Sequence, residues 1–267
     1  MRLVSLLLST VLMLVARPVS DQDIYVQSTG KKCGMEGNAK STPAKALDRL
    51  KNRYTAPTSD DMDNAVSLAA LLAPGDDLDR FDATKGAGVV GLVLDVKVGG
   101  KETCNCRATA AIDRDSHIEL ALAKDAPEIQ RVIVEVTPRL RAQMKAKKVD
   151  WTTDALRARL KGKWVKVTGW LLFDSQHIAE AENTNPGGSK NWRATCWEIH
   201  PVTNLEVLTE APSGVNELAP NILKEFHRIQ AAQRQRDAKQ REALKARNQK
   251  ILAGFDKEDL DEDLPER

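Results

Sequence analysis

The feature that most constrains this chain is a change to period-two patterning just after Lys85. The run "GAGVVGLVLDVKV" alternates between two faces, one of which carries Leu92, Leu94, Val96 and Val98. Alternation of this kind is typical of a β-strand, because successive side chains of a strand point to opposite faces. It predicts a long strand at the start of a β-rich region.

Four further strand-like segments and one helical stretch complete a recognisable order. "DSHIELAL" and "RVIVEVTP" have the pattern of strands, a helical stretch follows with Leu156 and Leu160 one turn apart, and "KWVKVTGWLLF" and "RATCWEIHPV" are again strand-like. Glycines in the long first and fourth strands allow them to bend. Three strands, a helix and two strands is the order of the five-stranded Greek-key barrel known as the OB-fold. We therefore predict a mainly β protein with an OB-like barrel over residues 85–210. Another small β-sandwich or α+β sheet is the alternative.

The flanking segments differ from the barrel region in composition. Residues 1–20 have a cationic start at Arg2 and an apolar run too short to span a bilayer, which predicts a cleaved signal peptide and a periplasmic or secreted protein. An uncleaved membrane anchor is the alternative. Residues 21–84 form an N-terminal segment of loops and short helices. No transmembrane span is predicted after removal of the signal.

The C-terminal tail, residues 211–267, is rich in Lys, Arg, Gln and Ala and ends in the acidic stretch "DKEDLDEDLPER". These residues predict a long helical or disordered extension exposed to solvent. The alternative is a basic arm that contacts nucleic acid or an anionic surface. The net charge of the whole chain is only +2, so composition by itself indicates no polyanionic partner.

The four cysteines are expected to form disulfides if the protein is exported. Cys104 and Cys106 are separated by one residue, which in a strand places them roughly 6–7 Å apart on one face, too far for a mutual bond. Each is therefore expected to bond elsewhere, with Cys33 and Cys196 as the available partners, and the pairing stays open. A thiolate metal site is the alternative.

These segments resemble a group of uncharacterised exported bacterial proteins with OB-like domains. The resemblance rests on "DSHIELAL", "RVIVEVTPRLR", "GKWVKVTGWLLFDSQH" and "NWRATCWEIHPVTNLEV", together with "CGMEGNAK" and "LDRLKNR" near the N-terminus. It covers residues 33–208 and does not include the tail. The resemblance implies export and an OB-like fold, and it implies no activity.

Three of the four histidines fall inside the predicted barrel. His177 and His200 flank "NPGGSKN", the strongest turn signal in the chain. If the chain folds back about Gly188 and Ser189, His177 lies opposite His200, and the two imidazoles become cross-strand neighbours. His117 could reach the same region.

Such a group of imidazoles would suit a divalent metal, zinc above all. His117, His177 and His200 are the predicted ligands, with Glu198 or Glu119 as the general base of a metal-dependent hydrolase such as a nuclease or phosphodiesterase. The spacing matches no established metal motif. The alternative is structural: Asp115 and His117 fix a loop, and His200 hydrogen-bonds across the mouth of the barrel.

A binding function is predicted from different residues. OB-folds hold ligands on one sheet face and on the loops between strands one and two and between strands four and five. The second of these loops carries Lys190, Trp192 and Arg193, which could stack on and neutralise single-stranded nucleic acid, or bind a glycan. The alternative is that Trp192 only anchors the loop to the barrel.

The leading hypothesis is therefore an exported OB-like binding module for an extended polyanionic or polysaccharide ligand or for a protein partner. The metal-dependent hydrolase is the first alternative. The second is a protein of the cell envelope that interacts with a protein partner through its helical tail.

Overall fold

The computed structural model describes residues 23–212, Lys224, Arg228 and residues 238–260. The predicted signal peptide lies outside the described residues, as does much of the predicted tail. Within the described part of the chain, no helix combines the length and the apolar character needed to cross a membrane.

A closed five-stranded barrel forms the centre of the fold. Its strands are β3 (Gly86–Val98), β4 (Ser116–Ala121), β5 (Val132–Val136), β6 (Trp164–Phe173) and β7 (Trp197–Val207). They follow one another around the barrel as β3-β4-β5-β7-β6, and β5 and β7 form the parallel pair. Helices α3 (Pro138–Ala146) and α4 (Thr153–Leu160) lie between β5 and β6 in the chain. The predicted order of three strands, a helical stretch and two strands is confirmed.

The smaller elements lie around this barrel. They are β1 (Tyr25–Val26), β2 (Lys32–Cys33), α1 (Thr42–Lys51), α2 (Leu68–Leu72) and α5 (Ala238–Leu252). Ser41 caps α1, and its hydroxyl accepts a hydrogen bond from the backbone N–H of Ala44. A side chain that accepts such a bond satisfies one of the free donors at a helix start, which is why α1 begins there.

The barrel interior is apolar, but β3 departs from simple alternation. Val93 and Val96 are both fully buried, although the period-two pattern placed them on opposite faces. The register between β3 and β4 shifts between Val93 and Asp95, and this irregularity inserts an extra residue. The prediction that Leu92, Leu94, Val96 and Val98 share one face of the strand is therefore wrong, because the alternation is interrupted at Leu94.

The outer face of β4, β5 and β7 is covered by the protein's own chain. The cover consists of the β3–β4 loop (residues 99–115), the β6–β7 loop (residues 174–196), α1 and the end of the described tail. Asn248 of α5 donates hydrogen bonds to the backbone oxygens of Ile178 and Thr184 in the β6–β7 loop. Arg107 of the β3–β4 loop donates to the backbone oxygen of Leu260 at 3.2 Å. The described end of the tail is thus attached to the barrel through a few buried residues, while most of its described side chains are exposed, as predicted.

One disulfide joins the cover to the N-terminal segment. Cys33 and Cys106 are bonded, with their Cα atoms 5.9 Å apart. Cys104 and Cys196 are buried free thiols, so the expectation that all four cysteines form bridges is wrong. Cys104 lies next to two carboxylates, and Cys196 packs with Ile178 and Ala181, so neither thiol faces another cysteine.

Candidate functional site

A row of polar side chains crosses the covered face from strand to strand. His117 on β4 pairs in register with Glu135 on β5, and the parallel pair of Val134 and Ile199 brings Glu135 beside His200 on β7. His117, Glu135 and His200 are exposed by only 3%, 2% and 0%. Polar groups buried this deeply need partners, because leaving one unpaired costs about 1–3 kcal/mol.

Glu198 and Arg193 hold His200 in a defined orientation. Its Nδ1 lies 3.2 Å from Oε1 of Glu198, and Oε2 of Glu198 accepts a hydrogen bond from Arg193 at 2.8 Å. Burial opposes ionisation of Glu198, but the charge of Arg193 outweighs it and lowers the pKa of this carboxyl, which favours a proton on Nδ1 of His200. Nε2 of His200 is buried and has no hydrogen-bond partner among the described residues. It faces Oδ2 of Asp115 at 3.9 Å.

His117 lies between two carboxylates. Its Nε2 is 2.7 Å from Oε1 of Glu135 and 3.6 Å from Oε1 of Glu102. The contact with Glu135 is an ion pair if His117 is protonated, although Nε2 makes no hydrogen bond that satisfies the geometric criterion within the described part of the chain. Gly99 lies against the ring, and a Cβ at that position would come within 2.9 Å of His117 Cδ2. The loop can pass this close to His117 only because residue 99 is a glycine.

Asp115 and Glu102 connect the two histidines on the loop side. Asp115 Oδ2 accepts a hydrogen bond from Asn105 at 2.7 Å, while its Oδ1 is buried without a hydrogen-bond partner in the described residues. Glu102 Oε2 is paired with Lys51 at 2.7 Å. The thiol of Cys104 lies 3.4 Å from Glu102 and 3.7 Å from Asp115.

The electrostatics of this cluster follow from burial and from the crowding of carboxylates. Burial disfavours the imidazolium form of His200, but the neighbouring carboxylates, above all Glu135, outweigh it and raise its pKa to about 9. Burial and the charge of Glu102 raise the pKa of Asp115 to about 7. Without another cation, His200 and Asp115 therefore retain protons more strongly than the same side chains would in water.

His177 lies apart from this cluster, contrary to the prediction. Strand β6 ends at Phe173, which pairs with Trp197, and His177 lies in the short 3₁₀ helix Ser175–His177 that follows. His177 Nδ1 is 2.9 Å from Glu180 Oε2. The predicted cross-strand opposition of His177 and His200 is wrong, because the hairpin is irregular beyond Phe173.

Lys51 connects the environment of His177 to the cluster. Its ammonium lies 2.9 Å from Asp174 Oδ2 as well as 2.7 Å from Glu102 Oε2. Asp174 in turn is 3.9 Å from His177 Nε2. Burial opposes ionisation of Asp174, but Lys51 and His177 outweigh burial and hold the pKa of this carboxyl well below its usual range.

The predicted ligand-binding residues of the β6–β7 loop are mostly internal. Trp192 is 9% exposed and Arg193 is 0% exposed, whereas Lys190 is exposed. The indole of Trp192 stacks near His117 at 6.4 Å and meets His177 edge-on at 5.2 Å. Its Nε1 donates to Glu180. These contacts correct the prediction of a stacking surface for bases or sugars and favour the alternative, in which Trp192 anchors its loop.

The two predicted general bases have other partners. Glu119 is bonded to Lys97 at 2.6 Å and to Arg131 at 2.7 Å, and it takes no part in the histidine cluster. Glu198 orients His200 and is held by Arg193, so it supports the cluster from behind. Neither carboxylate is placed as the general base that the sequence predicted.

Sequence reasoning missed Glu135, Glu102 and Asp174. Glu135 had a signal, because it is the one charged residue in the β-branched run "VIVEV". Glu102 and Asp174 had none, because they are loop residues whose approach to the histidines depends on how the two loops pack.

The donors form overlapping groups that could each hold a metal ion. Asp115, Glu135 and His200 form the His200 triad, and Glu102, His117 and Glu135 form the His117 triad. A third group, without a histidine, consists of Glu102, Cys104 and Asp115. Within each triad the ligand atoms lie within 4.8 Å of one another. Carboxylate oxygens and imidazole nitrogens are donors for zinc and related divalent ions. A scan of protein-family models gives no match to this sequence, and a search of curated proteins gives none either.

Proposed function

We propose that this protein is an exported OB-like binding module whose ligand is a divalent transition-metal ion, held on the covered face of the barrel by the His200 triad. The proposal keeps the predicted binding module and the predicted metal. It replaces His177 as a ligand with Asp115 and Glu135.

The observation that carries the proposal is the state of His200. A metal-binding histidine usually donates its second ring N–H to a carboxylate, which fixes the tautomer and aims the other nitrogen at the ion. The Nδ1 contact with Glu198 is such an arrangement, and Glu198 is itself held by Arg193. Nε2 of His200 and Oδ1 of Asp115 are both buried without hydrogen-bond partners among the described residues. Unpaired buried acceptors are costly, and a cation bound by their lone pairs removes the cost.

The charge of the network also favours a cation. Lys51 and Arg193 form ion pairs within the network, and Arg139 and Arg141 act on Asp115 from nearby. These cations face a larger number of buried carboxylates, namely Glu102, Asp115, Glu135, Asp174 and Glu198. Buried charges in proteins are normally paired or bound to metals. A divalent ion would balance this excess without protons on the histidines.

The strand order of the barrel supports the comparison with an OB-fold. The loops that cover β4 and β5 limit the size of the ligand that this face can bind. OB-folds bind oligomers on the face of strands two and three, which here are β4 and β5. In this protein that face lies beneath the β3–β4 and β6–β7 loops, and its side chains are buried. A small ion suits such a site better than a polymer. The same burial favours metal binding over hydrolysis of a polymeric substrate.

The test is the metal content of the full-length protein, purified without a histidine tag and loaded with Zn²⁺. We expect bound zinc in the unmodified protein, and loss of the His200-triad ion in His200→Ala. Glu198→Gln, which removes only the charge that orients His200, should weaken Zn²⁺ binding by about 10–100-fold.

Two matched controls separate ligand loss from general damage. His177→Ala removes a buried histidine outside the cluster, and Glu119→Gln alters a carboxylate on the same face of β4 as His117. Both should retain zinc. The proposal fails if the unmodified protein binds no zinc, or if His177→Ala loses as much zinc as His200→Ala while both remain folded by circular dichroism.

A further inference from the structure

Glu135 belongs to both the His200 triad and the His117 triad. Its Oε1 lies 2.7 Å from Nε2 of His117, and its Oε2 lies 3.5 Å from Nδ1 of His200, the ring nitrogen that Glu198 also contacts. In the His200 triad, the ligand atoms of Glu135, Asp115 and His200 lie within 4.8 Å of one another. Oε2 is buried and has no hydrogen-bond partner in the described part of the chain. The two oxygens of one carboxylate therefore face two histidines on opposite sides.

We propose that the cluster is a two-metal centre, in which Glu135 bridges one ion in the His200 triad and a second ion in the His117 triad. This inference rests on the proposed function, because it adds a second ion to the same site. Carboxylates shared between metals, combined with histidines, are the ligands of known di-iron and di-manganese centres. Two metals in such centres are about 3.5–4 Å apart.

The geometry around His117 supports the second ion independently of His200. Nε2 of His117 and Oε1 of Glu135 are close, yet they are not aligned as a hydrogen bond. Two ligand atoms bound to one ion at about 2.0–2.2 Å, and roughly perpendicular to each other, lie about 3 Å apart. The observed 2.7 Å is close to that separation, and in the metal-free protein it is also the distance of an ion pair between Glu135 and protonated His117.

Glu102 supplies the third donor of the second position. Lys51 holds Oε2 of Glu102 at 2.7 Å, which leaves Oε1 directed at His117 Nε2 at 3.6 Å. The second metal position is thus formed by Glu102 from the β3–β4 loop and by His117 and Glu135 from the strands. Gly99 allows the loop to lie close to the ring of His117.

The chemistry of the donors indicates the class of metal. Both triads contain two carboxylates and one imidazole, a set that suits Mn²⁺, Fe²⁺ or Zn²⁺. Cys104 lies beside Glu102 and Asp115 and forms a further donor group with them. The proposed two-metal centre uses the two donor groups that contain a histidine.

The test is to load the full-length protein with Mn²⁺, measure bound metal per chain, and record its electron paramagnetic resonance spectrum. We expect two Mn²⁺ per chain and a spectrum broadened by magnetic coupling. His117→Ala and His200→Ala should each retain one ion and show the spectrum of isolated Mn²⁺. Gly99→Ala should also lose the His117-triad ion, although residue 99 is not itself a ligand. If His117→Ala does not fold, His117→Gln takes its place.

The outcomes distinguish this inference from the proposed function. One Mn²⁺ per chain, lost in His200→Ala and retained in His117→Ala, would overturn the two-metal centre and leave the proposed function in place. Binding of neither Mn²⁺ nor Zn²⁺ would overturn both. Two uncoupled ions would show that the second ion lies elsewhere, which would also overturn the bridge.

Discussion

The two faces of strands β4, β5 and β7 are equally buried but chemically opposite. Ile118, Val134 and Ile199 point into the barrel and are fully buried. Their chain neighbours His117, Glu135 and His200 point outward and are almost as well buried, beneath the loops. Burial alone therefore does not distinguish these faces, whereas their chemistry does.

This difference separates what stabilises the fold from what serves a function. Burying an apolar side chain such as Ile118 contributes about 1.5–3 kcal/mol. Burying charges such as Glu135 and His117 costs several kcal/mol per ion before their attraction is counted, and the net effect is often close to zero or unfavourable. The interior explains why the barrel is stable. The covered face is not explained by stability, which is why we regard it as the functional site.

A large loss of stability is expected from a change on the interior face. Ile118→Ala should lower the free energy of unfolding by about 2–5 kcal/mol, because it leaves a cavity at the centre of the barrel. Urea denaturation measures this loss. Ile118→Val is the milder control, with an expected loss of about 0.5–1.5 kcal/mol. Metal content should be the same in both folded variants, and a change there would mean that the two faces are coupled.

A second comparison concerns Glu135 and His117 as a pair. In metal-free protein, Glu135→Leu alone should cost about 3–5 kcal/mol, because it removes a carboxylate partner from a buried imidazolium. The double variant His117→Leu with Glu135→Leu removes both charges and should recover most of that loss, or gain about 1–4 kcal/mol over the unmodified protein. Urea denaturation in the presence of a chelator measures each value. A double variant as unstable as the single one would show that the pair stabilises the fold.

The smallest expected effect lies outside the cluster. Burial disfavours charged His177, but Asp174 and Glu180 outweigh it, so the pKa of His177 is raised. A raised pKa contributes stability that is fully present below the ordinary histidine pKa of about 6.5 and is lost as the pH rises through the raised value. His177→Gln should therefore cost about 1.5–3 kcal/mol at about pH 5.5 and less at about pH 9. Denaturation at both pH values measures it, and an equal loss at both would contradict an ionic role.

The patterns along the chain were enough for the architecture but not for the site. The alternation after Lys85, the helical stretch around Leu156 and the glycines in the long strands predicted the strand order that the barrel has. His117 and His200 were also identified as members of one site. The error was at His177, where a regular hairpin was assumed. Asp174 accepts a hydrogen bond from the backbone of Gln176 and starts a 3₁₀ turn, and the pairing of β6 with β7 ends there.

The sequence by itself determined the order of the strands and the helical stretch, and that His117 and His200 lie on strands of the barrel. These properties are local, because side chains alternate along a strand whatever it pairs with. Only the tertiary structure decided that Glu135 lies between the two histidines, that Glu102 and Asp115 join them, and that Cys33 bonds to Cys106. Those contacts depend on strand register and on the packing of two long loops, which are set by residues far apart in the chain.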